Sequence, residues 1–264
     1  MATSQINYKQ LWEKALSSDG RLSQCYQMFH NYSFNNLMWL WTQFDARKQE
    51  TCPVATYKKW QDLGRQVKRG SKAFMMCMPG AKKYKDEKTG EEVVHSYFFD
   101  ARKWFALSDT EGEDISIKME TPSFSLERIL RNLEIKRIEF DRFDGNSQGY
   151  CRLTTGEIAI SPVAEAPIKT ALHEIAHSLL HRGEDQIHDE RGIRECEAES
   201  TALLAGSALN VLTDKQKENS VGYIKHWMNQ LEDMDKDKLI DRCARNVFGA
   251  VDKILKANQE IVHA

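Results

Sequence analysis

The sequence contains little proline and glycine, the residues that interrupt helices and strands, and few cysteines that could cross-link it. It contains only 5 Pro and 14 Gly among 264 residues, which excludes a collagen-like, mucin-like or wholly disordered chain. Its six cysteines form no CxxC pair, so neither a zinc ribbon nor a dense disulfide framework is indicated. No apolar run reaches the length of a membrane span, and the N-terminus lacks a signal-peptide pattern. We therefore expect a cytoplasmic globular protein with no membrane partner.

Charge is distributed unevenly along the chain. Residues 1–110 hold 17 Lys and Arg against 11 Asp and Glu, a balance of +6, whereas the remainder holds 20 against 28, a balance of −8. The length suits one large or two ordinary domains. An acidic stretch at 108–123 separates the basic part from the acidic part, so we predict domains at 1–118 and 123–264.

Hydrophobic spacing and capping residues predict an α+β fold. In the first part, Ser4, Ser33 and Thr56 are positioned to cap helices, and the runs at 73–79 and 93–100 are typical of strands. In the second part we predict a helix at 126–135, a hairpin turning at 155–156, a helix from Pro167 through His181, and further helices from about 194 to 261 with breaks near 213 and 235. A mostly helical second domain with a small sheet follows.

The string His173-Glu174-Ile175-Ala176-His177 is an HExxH motif on the helix that Pro167 opens. Two histidines four residues apart lie on one face about one turn apart, so both imidazoles can reach a single ion. Glu174 is then placed to accept a proton from water activated by that ion, as in zinc peptidases. The pattern predicts a Zn²⁺ site, with Mn²⁺ as the alternative ion.

A third protein ligand must come from elsewhere in the chain, because a hydrolytic zinc site usually has three. The metzincin pattern is excluded, since Leu180 and Gly183 stand where it needs Gly and His. His181 lies a further turn along the helix, which favours an end-of-helix or supporting role.

The segment RECEAES at 194–200 supplies carboxylates on another predicted helix. Glu195 and Glu199 share a helix face, whereas Glu197 points about 160° away from Glu195. We favour Glu195 as the third ligand and Glu199 as the residue that orients a histidine through its other ring nitrogen. The hairpin strand at 156–160 is a candidate edge on which an extended peptide could dock, although a purely structural strand fits equally well.

The first part combines cations with aromatic residues, which suits binding of a single nucleic-acid strand. The candidate phosphate-binding residues are Lys58, Lys59, Arg65, Lys68, Arg69 and Lys72. The candidate stacking residues are Trp39, Trp41, Tyr57, Trp60 and Tyr84. The competing interpretation is that tryptophans at helical spacing belong to the core.

Several of these motifs, in this order, resemble a known family. Asn31-Tyr32-Ser33, Ala55-Thr56 and the run from Gly64 to Ala73 are similar to the N-terminal single-stranded-DNA-binding domain of ArdC-type antirestriction proteins. The later HEIAHSLLH, RECEAES and Tyr223-Ile224 resemble the metallopeptidase domain joined to it in those proteins. The resemblance implies carriage on a mobile genetic element or phage, and a zincin-like hydrolase with a gluzincin-style third ligand, for which Glu195 and Glu199 match the recurring acids.

Two hypotheses about function remain at this point. The first is a zinc metallopeptidase tethered to single-stranded DNA, which cleaves a host protein and counters host defence. The second is a non-catalytic antirestriction protein that shields DNA and whose metal site is structural. The two differ in the need for Glu174, because a structural site does not require a non-ligand base.

Overall fold

The computed structural model describes residues 7–17, 21–85, 92–115, 122–142, 147–183, 191–230 and 236–259. These ranges form two compact units. The first comprises Asn31–Met119, and the second comprises Asn7–His30 together with Glu120–Ala264. The predicted α+β class is confirmed, with the helices concentrated in the second unit. None of the helices in the described ranges combines the length and the apolar character needed to cross a lipid bilayer.

The first unit is built around helix α3 and a small antiparallel sheet. Its elements are α3 (Phe34–Ala46), β1 (Val54–Thr56), α4 (Tyr57–Asp62), β2 (Arg65–Val67), β3 (Phe74–Lys85), β4 (Glu92–Ala106) and β5 (Thr110–Gly112). The main sheet has the order β1-β4-β3, and β2 pairs separately with β5. Ser33 and Thr56 cap α3 and α4 as predicted. The acidic stretch at 108–123 is not a plain linker, because its residues 110–112 form β5.

Side chains of α3 cover part of the open edge of β3. Asn36 Nδ2 donates to the Cys77 carbonyl at 2.9 Å and Asn36 Oδ1 accepts from Cys77 N at 2.8 Å. Gln43 makes the same pair of bonds with Met75, both at 2.8 Å. Two carboxamides therefore take the place of a neighbouring strand and satisfy backbone groups at the sheet edge.

The second unit is a helical assembly with one hairpin. Its elements are α1 (Tyr8–Leu16), α2 (Arg21–Phe29), α5 (Leu126–Asn132), β6 (Gly149–Arg152), β7 (Glu157–Ile160), α6 (Pro167–Leu180), α7 (Arg191–Ala208), α8 (Asp214–Gln230) and α9 (Lys236–Ala257). The helix α7 packs against α6, α8 and α9. The cap Ser4 predicted for the first helix lies outside the described residues, and Asn7 caps α1.

Residues 7–30 belong to the second unit, which differs from the predicted division of the chain into domains at 1–118 and 123–264. The prediction assigned them to the first domain, whereas α1 contacts α9 and α2 contacts α7 in the second unit. Tyr8 N donates to Asp241 Oδ1 at 3.1 Å, and Leu22 and Phe29 are fully buried. An amphipathic pattern states which helix face is buried but not which partner buries it, so position along the chain was a poor guide.

Candidate functional site

The helix α6 presents the HExxH motif to a cleft while its other face is buried. Leu172, Ile175 and Ala176 are completely buried. Pro167 occupies the first turn, and the helix ends at Leu180, with His181 as its C-cap and not its last turn. The two histidines of the motif therefore point to the side of α6 that faces α7.

His173, His177 and Glu195 bring three possible ligand atoms together, all within 4.8 Å of one another. The Nε2 atoms of the two imidazoles are 3.1 Å apart. Glu195 Oε2 lies 3.4 Å from Nε2 of His173 and 3.7 Å from Nε2 of His177. Two imidazole nitrogens and one carboxylate oxygen are a donor set that suits a divalent cation, so these residues could hold one.

Glu199 lies where the helical spacing of α7 suggested. Its Oε2 atom is 3.2 Å from Nδ1 of His173, and its Oε1 atom is 2.6 Å from Nζ of Lys169. The carboxylate thus holds the ring nitrogen of His173 that faces away from the possible ion. Such an outer hydrogen bond fixes the orientation and the tautomer of an imidazole ligand.

Glu174 is 7% exposed and is absent from the three-residue ligand group. Burial raises the pKa of its carboxyl to about 7. A glutamate in this state can both accept and release a proton near neutral pH. The burial of Glu174 and its position next to His173 in the sequence suit a role in proton transfer.

The charges around the two histidines favour a cation. The neighbouring imidazoles of His173 and His177 hold the pKa of Glu195 far below its ordinary value. For Glu199, burial opposes ionisation, but hydrogen bonds from His173 and Lys169 lower its pKa to about 2. For His173, burial alone would lower the pKa, yet its hydrogen bonds to the two glutamates raise it to about 10. A centre that keeps its carboxylates ionised and takes up a proton in this way attracts positive charge.

The cleft beside this centre has a volume of about 580 Å³. Strand β6 forms one wall, with Gly149, Tyr150 and Cys151 lining the space together with the motif residues. A Cβ atom on Gly149 would lie 2.7 Å from Cγ2 of Thr170 and 3.3 Å from Cγ of Glu174. The absent side chain therefore lets β6 approach α6 directly at Glu174.

The strand predicted as a docking edge, at 156–160, is not an edge. It contains β7, which pairs with β6 on one side. On its other side Ile138 N donates to the Ile158 carbonyl at 2.8 Å, and Ile158 N donates to the Lys136 carbonyl at 3.0 Å. Within the part of the chain that the structure describes, β6 has a strand neighbour on one side only. The available backbone edge at the cleft is therefore β6, because the segment at 136–138 covers β7.

A buried hydrogen-bonded chain behind His177 is only partly predicted by the sequence. His177 Nδ1 lies 3.0 Å from His181 Nδ1, and His181 Nε2 lies 3.0 Å from Glu197 Oε2. Helical periodicity predicts only that Glu197 points away from Glu195, and it names no partner for this carboxylate. The spacing HExxHxxxH was the available signal, but it could not show what would lie beyond His181.

The predicted phosphate-binding residues of the first unit fall into two groups. Lys58, Lys59, Arg69 and Lys72 have exposed side chains. Arg65, in contrast, donates from Nε to Thr110 Oγ1 at 2.7 Å and from its guanidinium to the Thr110 and Glu113 carbonyls. Lys68 Nζ donates to the Ser108 carbonyl at 3.1 Å. Arg65 therefore braces β2 against β5, whatever else it binds.

The predicted stacking residues are mostly unsuited to that role. Trp41 and Trp60 are buried, and Trp60 Nε1 donates to the Phe105 carbonyl at 2.9 Å. Trp39 is half-buried and Tyr57 is exposed, while the side chain of Tyr84 lies outside the described residues.

Three consecutive exposed rings on β4 were missed: Tyr97, Phe98 and Phe99, of which Phe98 is 75% exposed. The signal was available in the sequence, because three successive residues of a strand must place rings on both of its faces.

These features define a two-unit α+β protein with a cleft in which a His-His-Glu group could hold a metal. Residues 2–113 match the family model for the N-terminal domain of anti-restriction factor ArdC. Crystal structures of the antirestriction ArdC protein from the R388 plasmid share the fold. The metal-free form has a TM-score of 0.54 at 18% identity over 95% of this chain and 97% of that chain, and the Mn(II)-bound form has 0.55 at 17% over 96% and 98%. The resemblance to ArdC-type proteins is therefore confirmed, by the family model over residues 2–113 and by the shared fold over most of the chain.

An uncharacterized protein of Bacillus anthracis is also similar, at 25% identity over 88% of this chain and 47% of that protein. The chain thus spans about half the length of this relative.

The contacts of Arg65 lead to a stability prediction. We expect Arg65→Ala to lower the free energy of unfolding by about 1–3 kcal/mol, because the carbonyl and hydroxyl acceptors of β5 lose a charged donor. Arg69→Ala is the matched control and should change it by less than about 0.5 kcal/mol, since Arg69 is exposed. Urea denaturation measures both, and equal effects would contradict the bracing role of Arg65.

Proposed function

We propose that this protein is an antirestriction protein of a mobile genetic element that binds single-stranded DNA and cleaves a host protein with a metal-dependent peptidase site. The observation that carries the proposal is the group His173, His177 and Glu195 with the buried non-ligand Glu174 beside it. A purely structural metal site needs its ligands but has no use for such a glutamate. Zn²⁺ is the proposed native ion, and Mn²⁺, present in one ArdC structure, is the alternative.

The proposed reaction gives each group a distinct role. A divalent cation at His173, His177 and Glu195 would supply Lewis acidity, polarising a peptide carbonyl and lowering the pKa of water. Glu174 accepts the proton of the attacking water and passes it to the leaving amine. Glu199 keeps the ring of His173 in place throughout.

The wall of the cleft supports a peptide substrate. In the β6–β7 ladder, Ile158 directs its backbone groups towards residues 136 and 138, so its partner Cys151 directs its own backbone groups away from β7. Those groups face the side of β6 that lines the cleft. An extended peptide could pair with them as an added strand and bring its scissile bond over Glu174.

The proposal that the first unit binds single-stranded DNA rests on charge and on exposed rings. Residues 47–88 contain 12 basic and 4 acidic residues. The rings of Tyr97 and Phe99 lie on one face of β4 with centroids 6.0 Å apart, and Gly80 on β3 leaves room for Tyr97, whose ring a Cβ atom there would meet at 2.7 Å. Exposed rings bind unpaired bases by stacking, while nearby cations bind phosphates.

Metal content is the first test. The purified chain should bind about one divalent ion, and Glu195→Ala should weaken that binding by more than about 100-fold, beyond the loss typical of an outer partner. Glu218 is exposed and outside the ligand group, so Glu218→Ala removes an equal charge and should bind the ion normally. Calorimetric titration with Zn²⁺ and with Mn²⁺ measures both variants. Retention of the metal by His173→Ala combined with His177→Ala would exclude this centre.

Cleavage is the second test, because it separates a peptidase from a DNA-shielding protein. Incubation of a host-cell extract with the wild-type chain should generate new protein fragments, and Glu174→Gln should slow their formation by about 10² to 10⁴-fold while metal content stays unchanged. Glu218→Gln serves as the control. Equal cleavage by Glu174→Gln would contradict the assigned role, and an extract unchanged by the wild type would favour the non-catalytic alternative.

DNA binding is the third test and uses the whole chain. Replacement of Lys58, Lys59, Arg69 and Lys72 together by Ala should weaken binding of single-stranded DNA and reduce the slope of log affinity against log salt by about 0.7 per lost phosphate contact. The matched control replaces four exposed cations of the second unit, Lys215, Lys225, Arg242 and Lys253. Fluorescence anisotropy measures both. An unchanged slope in the first variant would mean that these cations form only a solvated surface.

A further inference from the structure

The Nδ1 atoms of the two histidines of the candidate centre have different hydrogen-bond partners. Nδ1 of His173 meets a carboxylate directly, at 3.2 Å from Glu199. Nδ1 of His177 meets a second imidazole, that of His181, and only then a carboxylate, that of Glu197. Asn246 on α9 completes this chain by donating from Nδ2 to Glu197 Oε1 at 3.0 Å. His181 is 2% exposed and Glu197 is 5% exposed, so the bond between these two side chains is shielded from water, whereas Asn246 is exposed.

The order of donors and acceptors in this series of hydrogen bonds follows from the carboxylate of Glu197. The Glu197 carboxylate can only accept, so Nε2 of His181 carries the hydrogen of that bond. If that is the single N–H of the His181 ring, its Nδ1 is left as an acceptor. Nδ1 of His177 must then be the donor of the 3.0 Å bond between the two rings. The lone pair of His177 is therefore on Nε2, the atom that lies 3.1 Å from Nε2 of His173.

We propose that His181, Glu197 and Asn246 form a positioning relay that fixes the tautomer and the ring orientation of His177 for a divalent cation. The inference rests on the proposed metal centre. The three glutamates of α7 then differ in role, because Glu195 faces the ion, Glu199 orients His173, and Glu197 orients His177 through His181. The competing explanation is that the His181–Glu197 contact only joins the end of α6 to α7.

The first variant, His181→Phe, keeps an aromatic ring in the buried space and removes both of its hydrogen bonds. We expect the affinity for Zn²⁺ and for Mn²⁺ to fall by about 10 to 100-fold, the loss typical of an outer partner of a metal ligand. This variant also leaves the buried Glu197 without its histidine, so its stability should fall as well.

The double variant His181→Phe with Glu197→Gln separates orientation from stability. A neutral Gln at 197 can pair with Asn246, whose amide can rotate to accept, so much of the lost stability should return. The relay predicts that metal affinity stays low in this double variant, because His177 still lacks an acceptor. Recovery of the wild-type affinity together with stability would overturn the relay and leave a structural contact. Val251→Ala, a change to a completely buried residue of α9, controls for destabilisation alone and should keep the wild-type affinity.

Nuclear magnetic resonance of the histidine ring nitrogens provides a direct readout in the zinc-loaded wild type. We expect the hydrogen of His181 on Nε2 and that of His177 on Nδ1, and a hydrogen on Nδ1 of His181 would overturn the relay. A wild-type chain that binds no metal would overturn the proposed centre and the relay with it. Normal metal binding with unaltered affinity in the double variant would overturn the relay alone.

Discussion

The packing of α6 against α7 is the contact on which the candidate centre depends. The histidines belong to α6 and the glutamates belong to α7, so neither helix alone has a complete donor set. Ala198, Ala202 and Ala205 of α7 are completely buried, and side chains this small allow two helices to approach closely. A shift of one turn between the helices, about 5.4 Å, would remove the Glu195 carboxylate from the two imidazoles.

The chemistry of the cleft depends equally on the hairpin that packs against α6. Ser178 Oγ donates to the Gly156 carbonyl at 2.8 Å and fixes the turn of the hairpin on the helix. Gly156 has a φ of 76°, a left-handed conformation that glycine adopts without strain. With the turn fixed there and Gly149 packed on Glu174, β6 lies along the motif and its outer edge borders the cleft. Strand β6 and helix α6, which both line the cleft, are thus joined by contacts that only small residues permit.

In the first unit, several side chains that composition alone would assign to ligand binding instead form hydrogen bonds that stabilise the fold. The carboxamides of Asn36 and Gln43 satisfy the edge of β3, the indole of Trp60 satisfies a carbonyl of β4, and the guanidinium of Arg65 satisfies β5. Buried backbone groups need such partners because an unpaired one costs about as much as a lost hydrogen bond. The exposed groups that remain include the lysines of α4, Arg69, Lys72 and the rings of β4.

The local features of this protein follow from the amino-acid sequence: the helix caps at Ser33 and Thr56, the helix opened by Pro167, the HExxH motif and the hairpin turn at 155–156. Each depends on residues within a few positions of one another, so spacing is sufficient to find it. The face shared by Glu195 and Glu199 was also set by helical periodicity, and both carboxylates lie beside His173.

Which elements meet, in contrast, depends on packing between distant parts of the chain. The grouping of residues 7–30 with the second unit, the covering of β7 by residues 136–138, the partners of His181 and the burial of Trp60 all join residues far apart in the chain. Periodicity identifies a buried face but carries no information about the surface that buries it. For that reason the sequence named the residues of the centre, while the fold determined what holds each of them in place.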